Sequence, residues 1–277
     1  ALMMMFAWRL SKTQVQKMIH PINKLDLENP LAEDIYEELT PLLERIDRQN
    51  KEKDAIANMR KEFSANVSHE LKTPLTSISG YAEIMMNGLV PEQHMKNFSE
   101  RIYNEAKRLI SLIDDIIKLS RLDEGNVEVE KEEVNLFLLC RDIISRLAIP
   151  AAKKNVKIEL TGEHVNYFGI KRILEEMIFN ICDNAIKYNK KDGKVSVWVG
   201  QTLGGIKIVV KDTGIGIPKE HLERIFERFY RVDKSHSKDS GGTGLGLSIV
   251  KHGAMLHNIA IDVDSEVGIG TKIEFKF

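Results

Sequence analysis

The chain has 277 residues, long enough for two compact domains joined by a linker. Its 40 basic residues nearly balance its 41 acidic ones, and the net charge of -1 excludes the global positive field of a nucleic-acid-binding protein. Cys140 and Cys182, the two cysteines, sit in apolar helical patterns without metal spacing, which excludes a disulfide framework and suits a reducing, cytosolic compartment.

Residues 1–8 are apolar but far short of the ~20 residues a membrane span needs. Trp8 and Arg9, followed by Lys12 and Lys17, read as the inner border of a span, so residues 1–9 are assigned to the cytoplasmic end of a transmembrane helix. The competing reading is an apolar terminus packed on a neighbour. Residues 10–54 form a linker or signalling helix. His20-Pro21 and Asn29-Pro30 break it early, and from residue 35 Leu39, Leu42, Ile46, Ile56 and Phe63 approach heptad spacing. Asn50 and Lys53 weaken that seam, leaving a solvated single helix as the alternative to a coiled coil.

Residues 55–125 read as a helical hairpin. Phe63, Val67, Leu71, Leu75, Ile78 and Ala82 recur every three or four positions and predict one buried stripe. His69 falls on the opposite face, in water, with an acid beside it at Glu70 and a hydroxyl one turn on at Thr73. Pro74 frees the carbonyl of Glu70 and predicts a bend. Asn87-Gly88 and Pro91 end the first arm, and Gly125 ends the second, whose stripe is Phe98, Ile102, Leu109, Leu112, Ile113, Ile116 and Leu119. Two such helices cannot bury their stripes alone. A homodimer forming a four-helix bundle solves that.

Residues 126–277 are mixed. Val127 and Val129 alternate as a short strand, 136–147 reads as a helix, 156–160 as a strand and 170–188 as a long helix. Strands at 194–199 and 206–211 form a hairpin across Gly204-Gly205, and strands at 259–263 and 272–277 close the chain. Helices segregated against a mixed sheet describe a two-layer α+β sandwich.

Three stretches of this half carry chemistry. On the 170–188 helix, Glu176, Asn180, Asn184 and Lys187 form a polar edge beside an apolar face. An amide oxygen there suits a phosphate-bound Mg²⁺ and Lys187 suits a phosphate; water or a neighbouring loop would satisfy the same edge. Asp212-Thr213-Gly214-Ile215-Gly216 ends a strand, and its carboxylate suits an exocyclic amine such as that of adenine, while Gly214 and Gly216 let backbone approach a flat ligand. Taken by itself, the stretch is more often an ordinary Asp-Thr-Gly turn. After a short aromatic helix at 222–231, residues 233–240 read as a lid. Gly241-Gly242-Thr243-Gly244-Leu245-Gly246-Leu247 then opens a helix whose N–H groups suit phosphates. Gly268 to Thr271 is a final turn, whose Thr271 hydroxyl suits support of Asp212 and which a plain hairpin explains as well.

In this order the motifs resemble those of the sensor histidine kinases of two-component signalling. Ser68 to Thr76 resembles the family's phosphoacceptor box, Asn180 to Tyr188 its N box, and Asp212 to Gly216 its first glycine box. Phe226 to Tyr230 resembles the F box, with Phe229 inside it, and Gly242 to Leu247 the second glycine box. The resemblance runs from about residue 55 to the end. It implies a dimeric hairpin domain followed by an ATP-binding sandwich of the histidine-kinase type. It further implies that His69 takes the γ-phosphoryl group of ATP, that Glu70 orients the ring and acts as base, and that Asn180 holds Mg²⁺ with help from Asn184. Lys187 and Arg231 would offset phosphate charge, Tyr188 would flank the adenine, and Asp212 would accept from its amine. Gly214, Gly216, Phe229, Gly242, Thr243, Gly244, Leu245, Gly246 and Thr271 complete the implied nucleotide site.

Thr73 matches the position that directs a water in dephosphorylating the partner. A separate response regulator would receive the phosphoryl group. The implied location is the cytoplasmic portion of an inner-membrane protein. Two rivals share parts of this pattern: an ATP-binding clamp of the chaperone and topoisomerase kind, and a non-catalytic dimeric scaffold.

Overall fold

A computed structural model describes residues 39–123, 130–232 and 242–277, together with Met5, Trp8, Arg9, Ser11 and Lys12. Most of the expected membrane border, the early linker with its prolines, the strand at Val127 and Val129, Gly125 and the lid at 233–240 lie outside the described residues.

The chain separates into two units, residues 1–69 and 70–277. One helix, α1 (Thr40–Met86), contributes to both. It runs continuously through Pro74, because a 47-residue helix has neighbouring turns enough to carry one missing donor. The signalling-helix reading at 40–54 therefore meets no break near residue 54. On the early part of α1 it is Leu43 that is buried, while Leu42 and Ile56 are exposed.

α1 ends in a Schellman motif. Gly88 takes φ +69, Leu89 N–H donates to the Ile84 carbonyl at 3.2 Å and Gly88 N–H to that of Met85 at 3.1 Å. A 3₁₀ turn (Glu92–His94) leads into α2 (Met95–Asp123). Tyr81 meets Phe98 edge to face with centroids 5.6 Å apart, and the Arg101 guanidinium reaches the Tyr81 hydroxyl at 3.2 Å. The expected buried stripe is corrected here. Phe63, Val67, Leu71 and Ile78 are half-buried, Ala82 is exposed and Leu75 is 58% exposed; two helices leave the outer part of each stripe uncovered.

The second half folds as β1 (Glu132–Asn135), α3 (Leu136–Lys153), β2 (Lys157–Gly162), β3 (Asn166–Gly169), α4 (Lys171–Lys187), β4 (Lys194–Thr202), β5 (Gly205–Asp212), a 3₁₀ turn (Lys219–His221), α5 (Gly246–His257), β6 (Ala260–Glu266) and β7 (Gly270–Lys276). A five-stranded sheet runs in the order β2-β4-β5-β7-β6, parallel only between β2 and β4, and β1 pairs with β3 in a separate antiparallel ribbon. Val195, Val197 and Val199 alternate inward from β4 and are fully buried with Ile208 and Phe275. Against them lie Leu136, Cys140 and Ile143 of α3, Leu174, Ile178 and Cys182 of α4, and Val250 of α5. The result is the expected two-layer α+β sandwich. Asn135 caps α3, its side-chain oxygen accepting from Leu138 N–H at 3.0 Å.

The expected aromatic helix at 222–231 is not formed. Hydrogen bonds of one turn, such as Arg224 N–H to the His221 carbonyl at 2.9 Å, give way to irregular chain, and Phe229 takes φ +62. A non-glycine residue in the left-handed region cannot continue a right-handed helix.

Candidate functional site: a cleft between the N-box edge and two glycine loops

A cleft of about 1270 Å³ opens beside α4. Asn180, Asn184, Lys187 and Tyr188 line it from α4; Asp212, Gly216 and Thr271 from the strand ends; and Arg231, Gly242, Thr243, Gly244 and Gly246 from the chain leading into α5. Twelve residues expected in a nucleotide site, separated by up to 91 positions in sequence, thus share one cavity. Gly214, Phe229 and Leu245 do not line it. His69, Glu70 and Thr73 lie along α1.

Asp212 closes one end. Its Oδ1 accepts from Gly214 N–H at 2.7 Å and from Thr271 N–H at 3.3 Å. Burial pushes its pKa up, and the two N–H donors work against that rise. The support from Thr271 is its backbone N–H; the expected hydroxyl contact is replaced by a 2.8 Å bond to Ser265 Oγ, because Ser265 sits opposite it in the β6–β7 ladder.

The two glycines after Asp212 are also required by the protein's own packing. A Cβ on Gly214 would overlap the Tyr188 carbonyl oxygen and lie 2.7 Å from Asp212 Oδ1. On Gly216, at φ +71, it would overlap the Glu266 carbonyl oxygen and lie 2.6 Å from that carbonyl carbon. At both positions the protein's own backbone fills the space a side chain would take, and Gly216 still borders the cleft.

At the other end, Asn180 Nδ2 donates to the Glu176 carbonyl at 3.0 Å, and its Oδ1 faces Gly246, where an added Cβ would lie 3.0 Å away. That oxygen and the glycine loop are therefore neighbours. Gly244, at φ +74, accepts from Phe229 N–H at 2.9 Å, and a Cβ there would lie 2.9 Å from Phe229 Cα. The F-box chain and the glycine loop are thus pinned to each other, which explains why Phe229 and Leu245 (fully buried) shape the cleft without lining it. Lys187 is engaged with Asp183 Oδ2 at 2.6 Å, one turn back. Burial lowers the Arg231 pKa, an effect opposed by Tyr188, reinforced by Arg108 and opposed again by Glu70. Glu70 also lies 3.7 Å from Arg108 Nη2.

The sequence reading missed the contribution of α2. Lys107, Ser111, Asp115 and Lys118 line the same cleft. Thr243 Oγ1 donates to Asp115 Oδ2 at 2.8 Å, and Lys118 Nζ meets Glu176 Oε1 at 2.5 Å. Burial raises the Asp115 pKa, with the Thr243 hydrogen bond and Lys118 pulling it down. Further along, Asp123 Oδ1 binds Arg228 Nη2 at 2.8 Å and lies 3.2 Å from His252 Nε2. No local signal marks these pairs, whose members stand 58 to 129 positions apart.

A carboxylate at one end of a cleft roomy enough for a whole nucleotide, and amides with a glycine-lined helix start at the other, define a nucleotide-binding sandwich joined to a helical hairpin. Residues 169–277 match the histidine kinase-, DNA gyrase B-, and HSP90-like ATPase family, and residues 59–125 match the His Kinase A (phospho-acceptor) domain. The sensor-like histidine kinase SenX3 of Mycolicibacterium smegmatis is 39% identical over 215 residues, covering 76% of this chain and 56% of the relative. The sensor histidine kinase WalK of Bacillus subtilis is 36% identical over 228 residues, 81% of this chain and 37% of the relative. The chain therefore spans about half or less of the curated relatives it matches. In fold it is similar to the Acinetobacter baumannii histidine kinase AdeS, at TM-score 0.62 and 20% identity over 75% of this chain and 97% of that one. It is also similar to the histidine kinase ThkA, solved in complex with the response regulator protein TrrA, at TM-score 0.63 and 23% identity over 88% and 67% of the two chains. The chain belongs to the sensor histidine kinases of two-component signalling, and what it comprises is their catalytic core.

Proposed function

We propose that this chain binds ATP in the α4 cleft, phosphorylates itself on His69 and passes the phosphoryl group to an aspartate of a separate response regulator. The observation that carries the reading is the cleft itself, with Asp212 anchored by two backbone N–H groups at one end and Asn180 turned toward Gly246 at the other.

In this reading the adenine amine donates to Asp212, Tyr188 flanks the base, and N–H groups around Gly242 to Gly246 meet the phosphates, aided by the start of α5. Lys187 exchanges Asp183 for a phosphate oxygen, and Arg231 adds a second positive charge. Magnesium fits this edge. Among the described residues no three His, Cys, Asp or Glu side chains form a metal cluster, so Asn180 Oδ1, with Asn184 nearby, would share the ion with phosphate oxygens. When bound, the ion supplies neutralisation of charge on the polyphosphate.

His69 is exposed on α1. One of its ring nitrogens attacks the γ-phosphorus; a P–N bond forms as the P–O bond to the ADP leaving group breaks, and the ring proton passes to Glu70. Alignment and charge stabilisation account for most of the acceleration such a transfer needs. Thr73, one turn on, directs a water for dephosphorylation of the regulator. A second copy of the chain covers the exposed stripe residues Leu75 and Ile113 together with the exposed Ile84, Ile110 and Ile117, giving a homodimeric bundle of residues 55–125. Residues 1–9 border a membrane span and 10–54 link it to the bundle. Among the described residues no helix is long and apolar enough to cross a membrane.

Incubation with γ-labelled ATP and Mg²⁺ tests the assignment. The expected product is protein-bound label, acid-labile and alkali-stable, that is lost in His69→Gln. Label persisting in that variant refutes the histidine assignment, and ATP turnover without labelling points to the clamp instead.

A further inference from the structure

The C-terminal half of α2 is docked on the sandwich. Leu119 is fully buried, Asp115 holds Thr243, Lys118 holds Glu176, and Asp123 is clasped by Arg228 and His252. Of these contacts, the one from Asp115 is made to the glycine loop. Thr243 Oγ1 donates to Asp115 Oδ2 while accepting from Leu245 N–H at 3.2 Å, so the hydroxyl is committed on both sides. A carboxylate, half-buried in the cleft lining, thus stands at the loop that would receive phosphates. Two anions at one hydroxyl repel each other, and that repulsion strengthens as water is excluded. Lys118, one turn on from Asp115, offsets part of that charge, but Glu176, which it pairs with at 2.5 Å, brings a further negative charge to the same place.

We infer that Asp115 competes with the nucleotide's polyphosphate for Thr243, so that docking of α2 and nucleotide binding oppose each other. The inference rests on the cleft being the ATP site. Linkage makes the antagonism reciprocal: what weakens docking tightens nucleotide, and nucleotide loosens α2.

The test is titration of the 277-residue chain and its Asp115→Ala variant with AMP-PNP and Mg²⁺, alongside adenosine followed by ligand-observed NMR. The variant should bind AMP-PNP roughly five- to tenfold more tightly, within the usual range of coupling between sites, and adenosine equally. Equal or weaker AMP-PNP binding by the variant overturns the inference, as does an equal gain for adenosine. Failure of the wild-type chain to bind AMP-PNP at all sinks the ATP reading instead. A second measurement needs no variant: amide exchange over residues 112–123 of the wild-type chain should quicken with AMP-PNP, and protection there overturns the inference.

Discussion

Gly216→Ala separates two reasons for a glycine that the sequence alone cannot tell apart. If Gly216 exists to admit a flat ligand, an added methyl group harms binding and leaves the empty protein intact. The structure requires the opposite order of effects. At φ +71 the residue is left-handed, and a Cβ would run into the Glu266 carbonyl, with the Val267 Cα 2.9 Å away. Alanine in that conformation costs about 1–2 kcal/mol, and forcing packed backbone to move adds about 1–3 kcal/mol, for roughly 2–5 kcal/mol together. Gly268, in the same turn region, is the control: it has φ +81 but open space around it, so Gly268→Ala carries only the first cost. At about 2–4 °C per kcal/mol for a domain of this size, Gly216→Ala should lower the melting temperature of the nucleotide-free chain by on the order of 10 °C. Gly268→Ala should lower it by distinctly less. Thermal unfolding followed by circular dichroism reads both. A Gly216→Ala chain that melts no lower than Gly268→Ala would refute the packing argument and return the glycine to the ligand.

Asp212→Asn keeps an oxygen for Gly214 and Thr271 but replaces the second carboxylate oxygen with a donor. Losing a charge-assisted hydrogen bond of about 1.5–3 kcal/mol predicts roughly 10- to 100-fold weaker AMP-PNP binding by calorimetry; unchanged affinity removes Asp212 from the adenine site. His257 predicts a pH effect on stability. Its Nε2 accepts from Ile170 N–H at 2.9 Å and its Nδ1 lies 2.9 Å from the Gly253 carbonyl, which requires the neutral ring. Burial lowers its pKa below the usual 6.5. The unfolded chain then binds the proton more readily, so the stabilisation is whole above about pH 6.5 and drains away as pH falls toward the native pKa. Urea midpoints from about pH 7.5 to about pH 5 should fall for the wild type and show a shallower slope in His257→Gln; parallel slopes contradict the assignment.

What could be read from the chain followed from periodicity, and what could not followed from contacts between distant residues. The α4 stripe and the alternating valines of β4 each state their own burial, so helix, strand and layer were legible. β1 and β3 were not: four residues each, with one buried position apiece, they pair only with each other, and Glu132 and Asn166 carry no strand signal. The Asp183–Lys187 pair is legible in the sequence, since acid and lysine stand four apart on one helix. Phe229 shows the deeper difficulty. Its local sequence favours a helix, and its left-handed backbone exists because Gly244 leaves room for it and accepts its N–H. Backbone strain of this kind persists only where surrounding contacts over-determine it. The two residues therefore constrain each other across the cleft wall. Releasing one, by a side chain at Gly244, should displace Phe229 and with it the Tyr230 and Arg231 side of the cleft.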